Sequence, residues 1–218
     1  MEAQDKYWDS VACQKRFGHP LIMAEVERHV ERRGRILDYG CGYGRSIREL
    51  HERGFGNLYG LDYSAGMIGR AKKENPFAHY ARNSGSEIPF IGESFGAALL
   101  LAVLTCIPDS GEQARLFSDL HRVLKQGGIL YVSDLLINSD RSNRERYERF
   151  EPRHGCYGVF ELEEGVTLRH HTMEHLERLA ASFRMISRQE FRVETMNGHE
   201  SRAIRIILQK QPQGLQST

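Results

Sequence analysis

Between positions 34 and 134 the chain alternates short apolar runs with stretches in which apolar residues return every three or four positions. That is the pattern of a parallel sheet whose strands are joined by helices. Residues 35–39 (RILDY) predict a first strand, and 46–53 a helix with Ile47 and Leu50 on one face. A second strand is expected at 58–62 (LYGLD), with Ser64 placed to cap the helix that carries Met67, Ile68 and Ala71. A weaker third strand is expected over 77–81, introduced by Pro76. The run 95–104 (FGAALLLAVL) is almost continuously apolar, as a central strand covered on both faces must be, and Pro108 ends it. Over 112–125 Ala114, Phe117, Leu120, His121 and Leu124 recur at helical spacing; Gly127 and Gly128 stop that helix ahead of a strand at 129–132.

After Asp134 the texture changes. Residues 140–153 (DRSNRERYERFEPR) are densely charged. They predict a helix solvated and held by ion pairs four residues apart, or else a lid over an active site. An amphipathic helix is expected over 173–183, then strands near 185–194 and 203–209, joined through Asn197-Gly198 into an antiparallel hairpin. The predicted architecture is a three-layer α/β/α sandwich on a mostly parallel seven-stranded sheet ending in that hairpin. One domain is expected over 1–210: a helical cap at 1–33, a core at 34–134, a lid and acceptor region at 135–172, and the last helix and hairpin at 173–210. A flexible polar tail is expected at 211–218.

Composition narrows the function. A length of 218 residues suits one good core, and 40% hydrophobic content is too high for a disordered chain. The 30 basic residues balance 29 acidic ones, so the basic excess of a phosphate-gripping surface is missing and a nucleic-acid partner is disfavoured. No apolar run is long enough to span a bilayer, and the start, MEAQDKYWDS, does not read as a signal peptide. A cytoplasmic protein without a membrane partner is expected. The four cysteines form no C-x-x-C pair, which predicts free thiols rather than a zinc knuckle or disulfides.

The most informative stretch is Asp38-Tyr39-Gly40-Cys41-Gly42-Tyr43-Gly44-Arg45-Ser46, where a strand ends and a helix begins. Glycines there permit positive φ and close approach of a ligand, and the helix N-terminus adds unpaired donors and partial positive charge. Nicotinamide-dependent dehydrogenases also use such a turn. Here, however, the spacing is G-x-G-x-G, Asp38 stands two positions before the first glycine, and Asp62 ends the second strand, where a carboxylate can accept from both hydroxyls of a ribose.

ILDYGCGYGRS, then LYGLDYS, EIPF, LTCIPD and RVLKQGGILYVSD together resemble, in this order, the motif series of the class I, Rossmann-like S-adenosylmethionine-dependent methyltransferases. The resemblance covers about 35–134 and points to no particular subfamily. It implies S-adenosyl-L-methionine as cofactor, with Gly40, Cys41, Gly42 and Gly44 lining its methionine part through their backbone and Asp38 helping to hold its amino group. It implies that Asp62 binds the ribose, that Tyr63 packs on the adenine and that Met67 joins the same pocket. The family normally carries an acidic residue toward the adenine amino group after the third strand; this chain has none in 82–86 and offers Asn83 and Ser84 instead. Leu104, Thr105 and Cys106 are expected at the end of the fourth strand, beside the sulfonium.

A sulfonium methyl is already activated, so in-line displacement needs no metal and no covalent intermediate, and alignment supplies most of the acceleration. A base is needed only when the acceptor arrives protonated. His154, His170, His171 and Tyr157 are the candidate acceptor-side residues, with Tyr147, Phe160 and His199 nearby, and Tyr7, Trp8 and Phe17 closing the site from the N-terminal side. Asp134 is expected to point into the same cleft. His171 and His175, four apart, would share a helix face, but no third ligand is evident and no metal is expected. The Asn-Pro-Pro-Tyr signature of amino-methylating nucleic-acid enzymes is missing from the sequence. A small-molecule acceptor follows as the expected partner; a peptide, protein or tRNA acceptor, or a non-catalytic cofactor-binding module, are the alternatives. Oligomeric state is open.

Overall fold

The computed structural model describes residues 2–12, 18–83, 87–195 and 198–211; Cys13, Phe17, Ser84, Asn197 and the tail at 212–218 lie outside them. Seven strands form one sheet in the order β3-β2-β1-β4-β5-β9-β8. Strands β1 (Ile36–Tyr39), β2 (Leu58–Asp62), β3 (His79–Arg82), β4 (Phe95–Leu101) and β5 (Leu124–Leu135) run parallel. Strands β8 (Phe183–Glu194) and β9 (Glu200–Lys210) close the sheet as an antiparallel hairpin on β5. Side chains alternate between faces, so the continuous apolar runs feed two cores at once. Leu37, Leu100, Leu130 and Val132 pack with Leu116, Phe117 and Leu120 of α5 (Ser110–Val123) and Leu176 of α7 (Met173–Leu179). Ile36, Leu99, Ile129 and Tyr131 pack with Val26 of α2 (Met23–His29), Ile47 and Leu50 of α3 (Arg45–Glu52) and Ile68 of α4 (Ala65–Glu74).

The expected three-layer sandwich and hairpin are present, with differences at the element ends. Strand β4 stops at Leu101 rather than at 104. Ala102 adopts φ 55° and the chain coils into a 3₁₀ turn at Leu104–Cys106, so Leu104 is not a strand residue. Helix α5 begins at Ser110, where Asp109 accepts a hydrogen bond from Glu112 N–H at 2.7 Å, and it ends at Val123. Gly127 and Gly128 therefore lie inside β5 and do not stop the helix. The last helix is shorter than its pattern suggested: α7 ends at Leu179, a 3₁₀ turn takes Ala180–Ser182, and Phe183 already belongs to β8.

A third cluster stands over the strand ends. Helix α1 (Glu2–Val11), helix α6 (Arg141–His154) and a small hairpin of β6 (Val159–Glu161) and β7 (Thr167–Arg169) contribute Tyr7, Trp8, Tyr147, Phe160, Val166 and Leu168, which pack around Met67 and Tyr43. The β6–β7 hairpin has no counterpart in the sequence reading, because three-residue strands carry too little periodicity to register. No helix among the described residues is long and apolar enough to cross a membrane.

Candidate active site

Strand order reverses between β1 and β4, and in an open α/β sheet that reversal leaves a crevice at the carboxyl ends of the strands. A cavity of about 580 Å³ occupies it here, within the usual range for small-molecule sites. Its floor is the glycine turn. Gly40 lies at φ +72°, and a Cβ there would stand 2.5 Å from Val103 Cγ2. Gly40, Cys41 and Gly42 all line the cavity.

The backbone of that turn differs from the expected cradle of free amides. Gly40 N–H and Cys41 N–H donate to Leu61 O at 2.7 and 3.0 Å, Gly42 N–H donates to Asp62 Oδ2 at 2.8 Å, and Gly44 N–H donates to Cys41 O at 2.9 Å. The first three donors are spent on holding the turn to β2 and the fourth closes the turn on itself, and Gly40 and Gly42 present a bare wall without side chains. Gly44 itself does not reach the cavity: it caps α3 at φ +79°, with the Asn75 and Tyr80 side chains 2.8 Å from where its Cβ would be.

Asp62 stands on the wall at the end of β2, 9% exposed. Its oxygens accept one N–H each, from Gly42 at 2.8 Å and Ser64 at 2.9 Å, which fixes the carboxylate while leaving lone pairs for a ligand. Burial pushes its pKa up. Tyr63, Met67, Asn83 and Trp8 line the same side of the cavity. Asp38 does not. It is 1% exposed behind the turn, accepts the Ser46 hydroxyl at 2.6 Å, and burial pushes its pKa to about 7; Ser46 and Arg45 form the wall in front of it.

Beyond β4 the wall is made by Val103, Thr105 and Cys106, whereas Leu104 is turned into the core. Thr105 Oγ1 is buried with no hydrogen-bond partner among the described residues. The turn is pinned by Asp134, which accepts Leu104 N–H at 2.8 Å, Thr105 N–H at 3.1 Å and Leu135 N–H at 2.8 Å. Asp134 is therefore a structural carboxylate, fully buried, and does not point into the cleft as its place at a strand end suggested.

Of the four acceptor-side candidates, only His170 lines the cavity. Its Nδ1 meets the Tyr147 hydroxyl at 2.6 Å, and burial pushes its pKa to about 3. The ring is thus neutral; with Nδ1 accepting from the hydroxyl, the proton resides on Nε2. His154 is drawn to Glu161 at 3.1 Å, and Tyr157 packs edge-on against Tyr147 at 5.2 Å; both stand off the cavity. His171 is fully enclosed, 3.7 Å from Asp134, and lies before the N-cap Thr172 of α7, so it shares no helix face with His175. His175 instead bonds Gln113 Oε1 at 2.6 Å. No cluster of metal-ligating side chains occurs among the described residues.

Arg146 is the wall residue that the sequence reading passed over. Its guanidinium lies 4.0 Å from the centre of the Phe160 ring, and the His170 ring meets the same ring edge-on at 5.0 Å. The signal was present: Asn143, Arg146, Tyr147 and Phe150 follow i, i+3, i+4, i+7 spacing, and all four are buried or half-buried. Charge density concealed it. His19, bonded to Ser133 Oγ at 2.7 Å, was also unforeseen on the wall.

Residues 37–132 match a family described as a methyltransferase domain. The fold matches that of an S-adenosylmethionine-dependent methyltransferase of Methanosarcina mazei, with a TM-score of 0.81 and 26% identity over 86% of this chain and 97% of the other. A malonyl-[acyl-carrier protein] O-methyltransferase of Salmonella typhimurium is 32% identical over 119 residues, 54% of this chain and 45% of that protein. An N-demethylindolmycin N-methyltransferase of Streptomyces griseus is 28% identical over 137 residues, 60% of this chain and 58% of that one. The chain spans about half the length of the curated relatives it matches. With the glycine turn, the Asp62 carboxylate and the seven-strand order on one crevice, the chain carries a methyltransferase domain over residues 37–132 on the fold of an S-adenosylmethionine-dependent methyltransferase.

Proposed function

We propose that this protein transfers the methyl group of S-adenosylmethionine to a small-molecule acceptor by in-line displacement. The observation that carries the reading is the continuity of one cavity from Asp62, at the end of β2, to His170 and Arg146 beneath α6. A donor seated on Asp62 and an acceptor under α6 would then share one desolvated space, the condition for direct transfer. Asp62 takes the ribose hydroxyls, Tyr63, Met67 and Asn83 surround the adenine, and Gly40, Cys41 and Gly42 let the methionine chain lie against the backbone. Two features fit such a guest: the spare lone pairs of Asp62 and the orphaned Thr105 hydroxyl, which would otherwise remain buried without a partner. Asp38 acts from behind, by orienting Ser46.

A small acceptor is favoured because α1, α6 and the β6–β7 hairpin wall the cavity. The curated relatives bear names that specify an acyl-carrier-linked malonyl group and an indolmycin precursor as acceptors. Calorimetry tests the reading. S-adenosylmethionine and S-adenosylhomocysteine should bind with micromolar affinity, about 8 kcal/mol, and NAD should not. Asp62→Asn should weaken both by at least tenfold, since it turns one acceptor oxygen into a donor facing Gly42 or Ser64 N–H. Undiminished affinity in that variant would remove the ribose assignment.

A further inference from the structure

We propose that the acceptor is a carboxylic acid with an apolar body, that its carboxylate is held between the Arg146 guanidinium and His170 Nε2–H, and that this carboxylate is itself the nucleophile. The proposal rests on the methyltransferase reading above and extends it to the substrate class.

The anchor is built from three groups on three segments. Phe160 of β6 supplies an aromatic face on which the Arg146 guanidinium stacks at 4.0 Å, which fixes the plane of its donor fork. Arg146 donates to the Asn143 side chain, forms no ion pair with a carboxylate among the described residues, and keeps its buried Nε without a partner. Asp140, close on the same helix, is engaged as the N-cap of α6, accepting Asn143 N–H at 3.0 Å and Asn143 Nδ2 at 2.7 Å. Asp140 feels the Arg146 charge, which helps to lower its pKa, but makes no ion pair with it; a half-buried guanidinium free of a direct carboxylate contact on a cavity wall is matched by a planar oxyanion. The second donor is His170, whose Nδ1 is occupied by Tyr147 at 2.6 Å. Phe160, Leu162, Leu168 and Val193 make the surrounding wall apolar. Of the wall carboxylates, Asp62 stands at the donor end, whereas Glu112, Glu194 and Glu200 are exposed, on α5 and on the hairpin, and Glu200 pairs with Arg192.

The same geometry leaves no general base among the buried imidazoles of the wall, and His199, the other wall imidazole among the described residues, is exposed between β8 and β9. The imidazoles on the described wall that are buried are engaged at one nitrogen, His170 by Tyr147 and His19 by Ser133, and both are held neutral with pKa values near 3 and 4. A group so weakly basic cannot take a proton from an alcohol, a phenol or an ammonium at neutral pH. A carboxylic acid, with an ordinary pKa of about 4, needs no such help. Its oxygen lone pair forms the new O–CH₃ bond while the S–CH₃ bond breaks and its electron pair stays on sulfur. The sulfonium becomes a neutral thioether, the carboxylate a neutral methyl ester, and no proton moves. Loss of the negative charge ends the attraction to Arg146 and favours release.

The experiment uses the whole chain. S-adenosylhomocysteine is titrated first by calorimetry; benzoate and octanoate, then benzamide and octanamide, are titrated into the saturated complex. The acids should bind at least tenfold more tightly than their amides. Arg146→Gln should abolish that preference with S-adenosylhomocysteine affinity unchanged, and Arg146→Lys should retain part of it, which separates charge recognition from lost packing. Label passed from methyl-labelled donor to small molecules of a deproteinised cell extract should be released as methanol by mild alkali, as an ester requires. Acids and amides binding alike, neither binding, a preference for amines, or label that resists alkali or is not transferred would overturn the acid assignment while S-adenosylhomocysteine still bound. Failure of S-adenosylhomocysteine to bind would instead strike the methyltransferase reading.

Discussion

At Gly40 the backbone and a neighbouring side chain each forbid a Cβ. The residue sits at φ +72°, where an L-residue other than glycine costs about 1–2 kcal/mol, and the added carbon would meet Val103 Cγ2 at 2.5 Å. Overpacking of that kind costs typically about 1–3 kcal/mol. Gly40→Ala is therefore expected to destabilise the fold by about 2–5 kcal/mol, read as a shift in the denaturant midpoint. The double variant Gly40→Ala with Val103→Ala should recover the steric part and leave the conformational part. A single variant as stable as the parent would show that the turn can rearrange, and with it the wall against which the donor lies. The glycine was legible in the sequence; the reason for it was only half legible, because Val103 is 63 positions away and its approach belongs to the packing of β4 on β1.

Elements were readable where their period was strong. The central strands and α3 to α5 follow from unbroken apolar runs and i, i+3, i+4 recurrence, because burial on two faces or on one stripe leaves a mark on the sequence itself. The ends were less so: β4 gives way to a 3₁₀ turn at an apolar Leu104, where Asp134, thirty residues on, captures two backbone N–H groups. Helix α6 displays charge and hides a half-buried face, so the sequence leaves open whether it is solvated or a lid, and of the four acceptor-side residues only His170 lines the cavity. Helix α1 shows how an element far from the sheet reaches the site. Asp9 accepts from the Ser64 hydroxyl and from Gly66 N–H, at 3.0 Å for the latter, so α1 is moored to the first turn of α4, immediately after Asp62. Trp8, its neighbour, forms part of the cavity wall. Asp9→Ala should raise amide exchange across α1 and weaken S-adenosylhomocysteine several-fold, with exchange in β4 and β5 unchanged. Equal protection of α1 in the two proteins would show that the apolar contacts of Tyr7 and Trp8 suffice to hold it.

At the scale of the whole molecule, the buried titratable groups fall into two opposed sets. His19, His170 and His175 are held near 4, 3 and 4 by burial, so below about pH 6.5 the unfolded chain carries protons that the folded chain lacks. Their contribution is full above pH 6.5 and falls as the pH drops toward those values. Asp38 and Asp134 are pushed to about 7 by burial, so between roughly pH 4 and 7 the folded chain carries protons that the unfolded chain lacks. Their contribution is full below about pH 4 and is lost as the pH rises through 7. His171 and Asp62 add one more shift to each side. Overall stability should thus vary little between pH 4.5 and 7, and fall below pH 4, where these carboxyl groups have finished titrating and His170 and His171 have not. Single variants expose the hidden slopes. The stability lost in His170→Gln should shrink by about 2 kcal/mol when the pH is lowered from 7 to 5, because the parent alone then suffers from a histidine that cannot protonate when folded. The loss in Asp134→Asn should grow by about 2 kcal/mol over the same interval, because the parent alone gains from a carboxyl that binds its proton more tightly when folded. Guanidinium denaturation of the parent and both variants at the two pH values measures this. Parallel curves for all three would mean that His170 and Asp134 titrate alike in the folded and unfolded chains, which the enclosure of both side chains does not allow.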